Sequence, residues 1–202
     1  MAPRVENDRS SETYDIQALL QGDQTAFEEM VRELGPRLYR VIKRIVKDED
    51  EAGSVLQETF LQVYKGLARF RGESRFSTWV YAIGINLSRA ALRKRQRFEL
   101  MEEADIDRLL PVFEKGMFAT STAQIGTEIH VEIAERKRLV HEAIDRLPVQ
   151  YRLIITLRDI EEYDTREVAQ ILGITEGNVR VRLHRGRQAL RKMLLPYVVS
   201  YK

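Results

Sequence analysis

The sequence predicts an all-α protein made of two small helical domains joined by a flexible linker, the second domain containing a helix-turn-helix. Three observations lead there. Apolar residues recur at helical spacing through residues 14–97 and again from about Glu128, the pattern of amphipathic helices. Between them, residues 98–127 keep no such period and carry Pro111, two Gly and the run Ala119-Thr120-Ser121-Thr122-Ala123. A structureless stretch of about 30 residues is too long for a connection inside one compact domain. Near the C-terminus, two short helical stretches meet at Leu172-Gly173-Ile174-Thr175, which has the length and turn chemistry of a helix-turn-helix.

Composition narrows the function. The 202 residues allow one to two domains, and a hydrophobic content of 44% supplies their cores. The formal net charge is only +2, so clusters of cations carry more information than their total. The absence of cysteine excludes disulfides and thiolate metal sites and fits a reducing compartment. His130, His141 and His184 lack ligand spacing, and no metal or other cofactor is expected. No apolar run reaches the roughly 18 residues of a membrane span. The opening Met-Ala-Pro-Arg-Val-Glu-Asn-Asp has no signal-peptide core. A cytoplasmic protein without membrane insertion is expected. No carboxylate pair, Ser/His/Asp set or phosphate-cradling Gly loop argues for catalysis, so no catalytic site and no enzyme activity are expected.

In chain order, residues 1–13 are polar and aperiodic, the pattern of a disordered tail. A short helix is expected from Tyr14 to Gly22, ending at the Gly. Asp23 suits the N-cap of a second helix, in which Phe27, Val31, Leu34, Leu38, Val41, Ile42 and Ile45 keep one face through to Val46. Pro36 should kink that helix or divide it after Leu34. Lys47-Asp48-Glu49-Asp50-Glu51 reads as a charged turn whose acids favour the start of a third helix. Val55, Leu56, Phe60, Val63, Tyr64 and Leu67 form its apolar face, and Gln57, Glu58, Gln62 and Lys65 its solvated one.

Next comes a polar loop held between two rings, Phe70-Arg71-Gly72-Glu73-Ser74-Arg75-Phe76. The helix that follows is apolar on two sides. Phe76, Trp79, Val80, Ile83, Leu87, Ala90 and Ala91 lie on one, Tyr81, Ile85 and Leu92 on the other, which marks a helix central to a bundle. It ends in Ser88–Arg97, with five cations and no acid. Rings beside a basic helix end can stack on bases while the cations follow phosphates. Rings at helical spacing are more often core, however, and the helix dipole alone favours cations at a C-terminus.

The linker opens with Glu99, Glu102, Glu103, Asp105 and Asp107 and no base as far as Asp107. It can be a solvated tether, fold back on the basic helix, or mimic nucleic acid. Ile133, Val140, Ala143, Ile144 and Leu147 then share a face that Pro148 ends. A second helix runs from Val149 to Asp159 with Ile154, Ile155 and Leu157 apolar. Asp164-Thr165-Arg166-Glu167 is a capping box. Val168, Ile171 and Leu172 face the core, and Gly173 stops the helix. Thr175 caps the last helix, where Val179, Leu183, Leu190, Met193 and Leu194 face inward. From Val179 to Lys202 there are seven Lys/Arg and no Asp or Glu. Asn178, Arg180, Arg182, His184, Arg185 and Arg187 lie on or beside the exposed arc, with Val181 near its centre. An Arg there can read guanine and a Val can touch a thymine methyl, or the cations can contact phosphates alone.

Three of these stretches resemble bacterial RNA polymerase sigma factors of the extracytoplasmic-function (ECF) type, in the sigma-70 family. They are Val-Leu-Gln-Glu-Thr-Phe-Leu-Gln-Val-Tyr-Lys from Val55, Phe-Arg-Gly-Glu-Ser-x-Phe-x-Thr-Trp-x-Tyr-x-Ile from Phe70, and the block from Glu167 through Leu190. The resemblance implies a non-catalytic initiation subunit with a region-2 domain over 14–97 and a region-4 domain over 128–202. It implies docking on core polymerase (the largest-subunit coiled coil and the flap) with Ser54, Gln57, Glu58, Leu61, Gln62 and Lys65 at the contact. Ser54 stands where the family usually has an acid, and Gly53 where it has a small or acidic residue. Promoter melting at the −10 element is implied for Phe70, Arg71, Ser74, Arg75, Phe76, Ser77, Trp79, Asn86, Arg89 and Arg93. Recognition of the −35 element is implied for Thr175, Asn178, Arg180, Val181, Arg182, His184 and Arg185. The family also implies an anti-sigma factor, which could hold the protein at the membrane. A one-component regulator with a helical sensor domain, or a DNA-processing enzyme, would share the helix-turn-helix. The first would need a ligand pocket, the second a nucleophile or metal carboxylates.

Overall fold

Aspartates set the helix starts in the first of two compact units, which divide at Arg97 and Phe98. A computed structural model describes residues 14–95, 106, 109–110, 113–114, 117–118 and 133–199. Helix α1, Ile16–Leu20, is capped by Asp15, whose carboxylate accepts from the backbone N–H of Gln17 at 2.8 Å and Ala18 at 3.1 Å. Helix α2, Gln24–Val46, is capped by Asp23 through Ala26 N–H at 2.8 Å. Helix α3, Glu49–Gly66, is capped by Asp48 through Glu51 N–H at 2.9 Å, and Glu49, Asp50 and Glu51 fill its first turn. These side chains satisfy amide donors that a helix start leaves open, and the acids meet the positive end of the dipole. A single turn, Leu67–Arg69, then leads through the loop to helix α4, Phe76–Arg95.

Helices α2, α3 and α4 pack mutually, and α1 lies against α2 and the Leu67–Arg69 turn. Their core is Met30, Leu34, Leu38, Val41, Ile42 and Ile45 of α2, Val55, Phe60 and Val63 of α3, and Phe76, Val80, Tyr81 and Ile85 of α4, all buried. Three expectations are corrected here. Pro36 neither divides nor ends α2, which runs through it. The proline is exposed, so the carbonyl it leaves without an amide donor can turn to water, while Leu34 and Leu38 stay in the core on either side. Tyr64 belongs to no core face and is 59% exposed. The inward face of α4 is centred on Tyr81, Gly84, Ile85 and Ser88, not on Ile83, Leu87 and Ala90. Small and polar residues mark that face because backbone comes close. A Cβ on Gly84 would stand 3.1 Å from Leu38 Cδ1 and 3.4 Å from Thr59 Cγ2. Buried Ser88 and Thr59 satisfy their hydroxyls on carbonyls one turn back, Gly84 O at 2.7 Å and Val55 O at 2.6 Å.

Gly53 is the opposite case. It sits inside α3 with open space where a Cβ would go. Gly53→Ala should therefore stabilise the protein by about 1 kcal/mol, the helix-propensity difference between the two residues, read as a higher midpoint in thermal unfolding.

In the second unit, helix α5, Ile133–Arg146, and helix α6, Val149–Ile155, pack on the long helix α8, Glu176–Val199. Helix α7, Thr165–Leu172, precedes α8. The α6 stretch continues to Ile160, but with π-type bonding over Thr156–Ile160. Ala143, Ile144, Leu147, Tyr151, Ile154, Ile155, Leu157, Val168, Val179 and Ala189 are buried. Val140, expected in the core, is 39% exposed, and Leu190, Met193 and Leu194 are only half-buried. The buried line of α8 runs instead through Val179, Leu183, Gly186 and Ala189, because the glycine and alanine bring it onto α6.

The expected tail (1–13), most of the expected linker (98–127) and the start of the next helix at Glu128 lie outside the described residues. Within that linker, Phe113–Glu114 (β1) and Met117–Phe118 (β2) pair antiparallel, the one small departure from an all-α fold among the described residues. Ile106 is fully buried, and the carbonyl of Leu110 accepts from Lys192 Nζ of α8 at 2.9 Å.

Candidate functional site

The loop before α4 is pinned at both ends by rings. Phe70 stands 5.1 Å from Phe76, edge to face, and 5.4 Å from Trp79, while Phe76 and Trp79 are 5.4 Å apart. Phe76 is fully buried, whereas Phe70 and Trp79 are half-buried. Between the rings, Arg71, Gly72 and Glu73 are exposed, and Gly72 takes a φ of +70° that other residues adopt only at a cost. Ser74 and Arg75 are half-buried, the Ser74 hydroxyl donating to Arg75 O at 3.1 Å. Ser77 does not join them. It is buried, one turn from Tyr81 on the core side of α4, and so cannot meet a ligand.

The outer side of α4 is a ridge. At 100° per residue, Trp79, Ile83, Asn86, Ala90 and Arg93 fall within about 80° of one another. Asn86, Ala90 and Arg93 are exposed, Trp79 and Ile83 half-buried, and Arg89 half-buried on the flank. From Trp79 to Arg93 the helix rises about 21 Å. Asn86 therefore lies well along the helix from Ser74. The candidate residues form a strip with rings at one end, an amide midway and cations at the other, not one pocket.

In the second unit the expected caps are present. Asp164 N–H donates to Glu167 Oε2 and Glu167 N–H to Asp164 Oδ1, both at 2.8 Å, a reciprocal capping box. Gly173 has φ +66°, and Ile174 N–H reaches Ala169 O at 3.1 Å, closing α7. Thr175 Oγ1 accepts from Asn178 N–H at 3.2 Å and starts α8. Buried Ala169 and Val179 fix the two helices. On the outer face of α8, Val181 is 55% exposed, Asn178, Arg180 and His184 are exposed, and Arg182 and Arg185 half-buried. Arg180 and Arg187 are both held within the unit. Arg180 pairs with Glu176 at 2.6 Å. Arg187 takes Asp159 bidentately at 2.5 and 3.1 Å, and that hydrogen bond raises its pKa further. Arg187 thus ties α8 to the Thr156–Ile160 turn, while Arg180 must leave Glu176 to reach a ligand. Among the described residues no group of His, Cys, Asp or Glu could hold a metal ion, and no helix is long and apolar enough to cross a membrane.

Two family models fit these same two units. Residues 30–98 match sigma-70 region 2, and residues 137–190 match sigma-70 region 4. The RNA polymerase sigma-H factor of Pseudomonas aeruginosa is 32% identical over 181 residues, covering 90% of this chain and 92% of that protein. The chain belongs to the ECF group of the sigma-70 family. The ECF sigma factor SigW of Bacillus subtilis is likewise 32% identical, over 89% of this chain and 94% of its own length, and the ECF sigma-E factor of Escherichia coli K12 is 30% identical over 91% and 94%. Two solved structures share the fold at a TM-score of 0.60. CnrH, bound to the cytosolic domain of CnrY, is 23% identical over 89% of this chain and 94% of its own. RpoE of Bartonella quintana, bound to the anti-sigma factor NepR, is 22% identical over 84% and 96%. This sigma factor is a transcription initiation factor with a promoter-directing function.

In the sigma factor, α3 presents Ser54, Gln57, Glu58, Leu61, Gln62 and Lys65 together and exposed. Ser54, Glu58, Leu61 and Lys65 form one row, with Gln57 and Gln62 on its flanks. Gln62 donates to Glu58 at 2.8 Å, and the Ser54 hydroxyl to Asp50 O at 3.0 Å. Tyr64 widens this face. Its ring meets Phe27 of α2 edge-on at 5.4 Å and stands beside Leu61, which is 44% exposed. Counting apolar residues assigned Tyr64 to the core. Its position beside Gln57 on the helix wheel is the signal that could have placed it outside.

Proposed function

We propose that this sigma factor docks on core polymerase through the exposed face of α3, sets its position on the −35 duplex with the outer face of α8, and melts the −10 element along the Phe70–Phe76 loop and the α4 ridge. The ridge is the observation that carries the reading. It offers the half-open Trp79, the exposed amide of Asn86 and the exposed Arg93 in one line, with Phe70 beside Trp79 and half-buried Arg89 on the flank, the equipment for a single strand. Flipping a base costs a few kcal/mol. Stacking on a ring returns about 1–3 kcal/mol, so capture comes near balance, and phosphate contacts from Arg89 and Arg93 supply the rest. The half-open Phe70 and Trp79 supply stacking surface, and buried Phe76 supplies the wall behind them.

The protein acts without a catalytic site of its own, in the cytoplasm, and the chemistry of RNA synthesis belongs to the polymerase. An anti-sigma factor controls it. The support is that the two solved structures named above were each captured with a protein partner, one of them an anti-sigma factor by name.

Transcription in vitro with core polymerase and a promoter library tests the whole reading. It predicts enrichment of promoters with a shared −35/−10 pair, and no sequence preference among the transcripts would sink it. The docking face is tested by Gln57→Ala combined with Glu58→Arg. Both positions are exposed, so thermal stability should move by no more than about 0.5 kcal/mol, while affinity for core polymerase falls. Unchanged affinity would place the docking surface elsewhere.

A further inference from the structure

The ring cluster behind the loop has a fourth member that no sequence motif marks. Tyr14, two residues before α1, is 4% exposed, and its ring stands 6.0 Å from Phe76 at 65°, an edge-on contact. Phe76 is the hub, with ring centroids 6.0 Å from Tyr14, 5.1 Å from Phe70 and 5.4 Å from Trp79. The neighbourhood holds Tyr14 in place. Asp15 caps α1 immediately after it, and α1 packs on the Leu67–Arg69 turn that delivers Phe70. Trp79 is bounded on a further side by Gly66, where a Cβ would come within 3.1 Å of the indole. The half-open rings, Phe70 and Trp79, thus rest on one that is fully buried, and the buried Tyr14 ring packs edge-on against that same ring.

We propose that Tyr14 is a positioning residue for promoter melting: its ring fixes Phe76, and through Phe76 the angle at which Phe70 and Trp79 meet an unstacked base. This rests on the reading of the loop and ridge as the single-strand site. Tyr14 touches no DNA in this scheme. Its removal leaves Phe76 able to tilt into the vacated space, so the outer rings lose their fixed orientation without leaving the protein. What matters is the ring, so Tyr14→Phe keeps the function, whereas Tyr14→Leu keeps an apolar plug and loses it.

The test uses the full chain with core polymerase. Permanganate reactivity of the −10 region is followed on fully duplex promoters and on promoters already mismatched there, together with core affinity and thermal stability of each variant. Tyr14→Leu should slow opening of duplex promoters by about three- to tenfold, the range expected from losing one aromatic pair. It should approach wild type on mismatched promoters and bind core polymerase normally, while Tyr14→Phe opens at the wild-type rate. Trp79 is the sole tryptophan of the chain, so its emission in the free protein reports the cluster directly. It should shift in Tyr14→Leu and not in Tyr14→Phe. Normal opening by Tyr14→Leu overturns the proposal. So does a deficit that is equal on mismatched promoters and follows a loss of core affinity, because that describes simple damage to the fold. Asn86→Ala, measured alongside, separates the two levels. If it too opens duplex promoters normally, the single-strand site itself is misplaced. If it is defective while Tyr14→Leu is normal, only the role of Tyr14 falls.

Discussion

Phe76→Ala should cost the first unit about 3–5 kcal/mol, the usual range for emptying a fully buried aromatic site, and promoter opening should fail with it. The side chain is wholly buried and meets three other rings, Tyr14, Phe70 and Trp79, so no single neighbour can collapse into the space. For a unit of this size, the thermal midpoint should fall by more than about 10 °C. Phe70→Ala is the informative contrast. Phe70 is half-buried and its loss should cost only about 1 kcal/mol, half or less of a full burial, yet it removes a ring from the open end of the strip. Calorimetry with permanganate footprinting separates the two. Phe76→Ala should lose stability and opening together, Phe70→Ala opening alone. Wild-type opening by Phe70→Ala would mean that the loop does not receive a base.

Much of this was readable beforehand, because the relevant signals are local. Asp23, the Asp164/Glu167 box, Gly173 and Thr175 act through their own backbone neighbours, and local rules suffice for them. The two-unit, helical organisation followed from where the apolar period stops and restarts. The errors came where tertiary contact decides. Gly84 and Ser88 look polar or neutral in a sequence, yet they line the inward face of α4 because that face must come close to Leu38 and Thr59. Ser77, implied as a −10 contact by the resemblance, is buried on the core side of α4. Pro36 looked like a break, but buried residues on both sides hold α2 together across it. Among the candidate site residues, those chosen for facing away from an apolar stripe on α3 and α8 are exposed or half-buried. Those around α4 were harder to place, because a helix apolar on two sides has no obvious outside. Tyr14 could not be found at all, since a lone tyrosine ahead of a short helix carries no periodic signal.

Gly186→Leu should abolish −35 binding without touching a single outward residue. Gly186 lies on the buried line of α8, where a Cβ would stand 3.2 Å from Ile155 Cγ1, 3.4 Å from Ile155 Cδ1 and 3.8 Å from Tyr151 Cβ. Both neighbours are buried side chains of α6, so neither can swing into solvent. The added side chain must push α8 off α6, at a cost of about 3 kcal/mol, the upper part of the overpacking range. The same displacement would strain the Arg187–Asp159 pair, which joins α8 to the turn after α6, and would carry Asn178, Val181 and Arg185 out of register with the groove. Arg185→Ala makes the opposite change. It leaves α8 seated on α6 and removes one half-buried cation from the outer face, so the loss of stability should be well below that of Gly186→Leu. If Arg185 reads a base, specificity at one −35 position should relax by about 1–3 kcal/mol. If it contacts a phosphate, affinity should fall uniformly and the salt slope should shrink by about 0.9. Binding to a −35 duplex over a salt series, with thermal unfolding of both variants, distinguishes these outcomes. Wild-type DNA binding by Gly186→Leu would show that the seating of α8 on α6 does not set the recognition face.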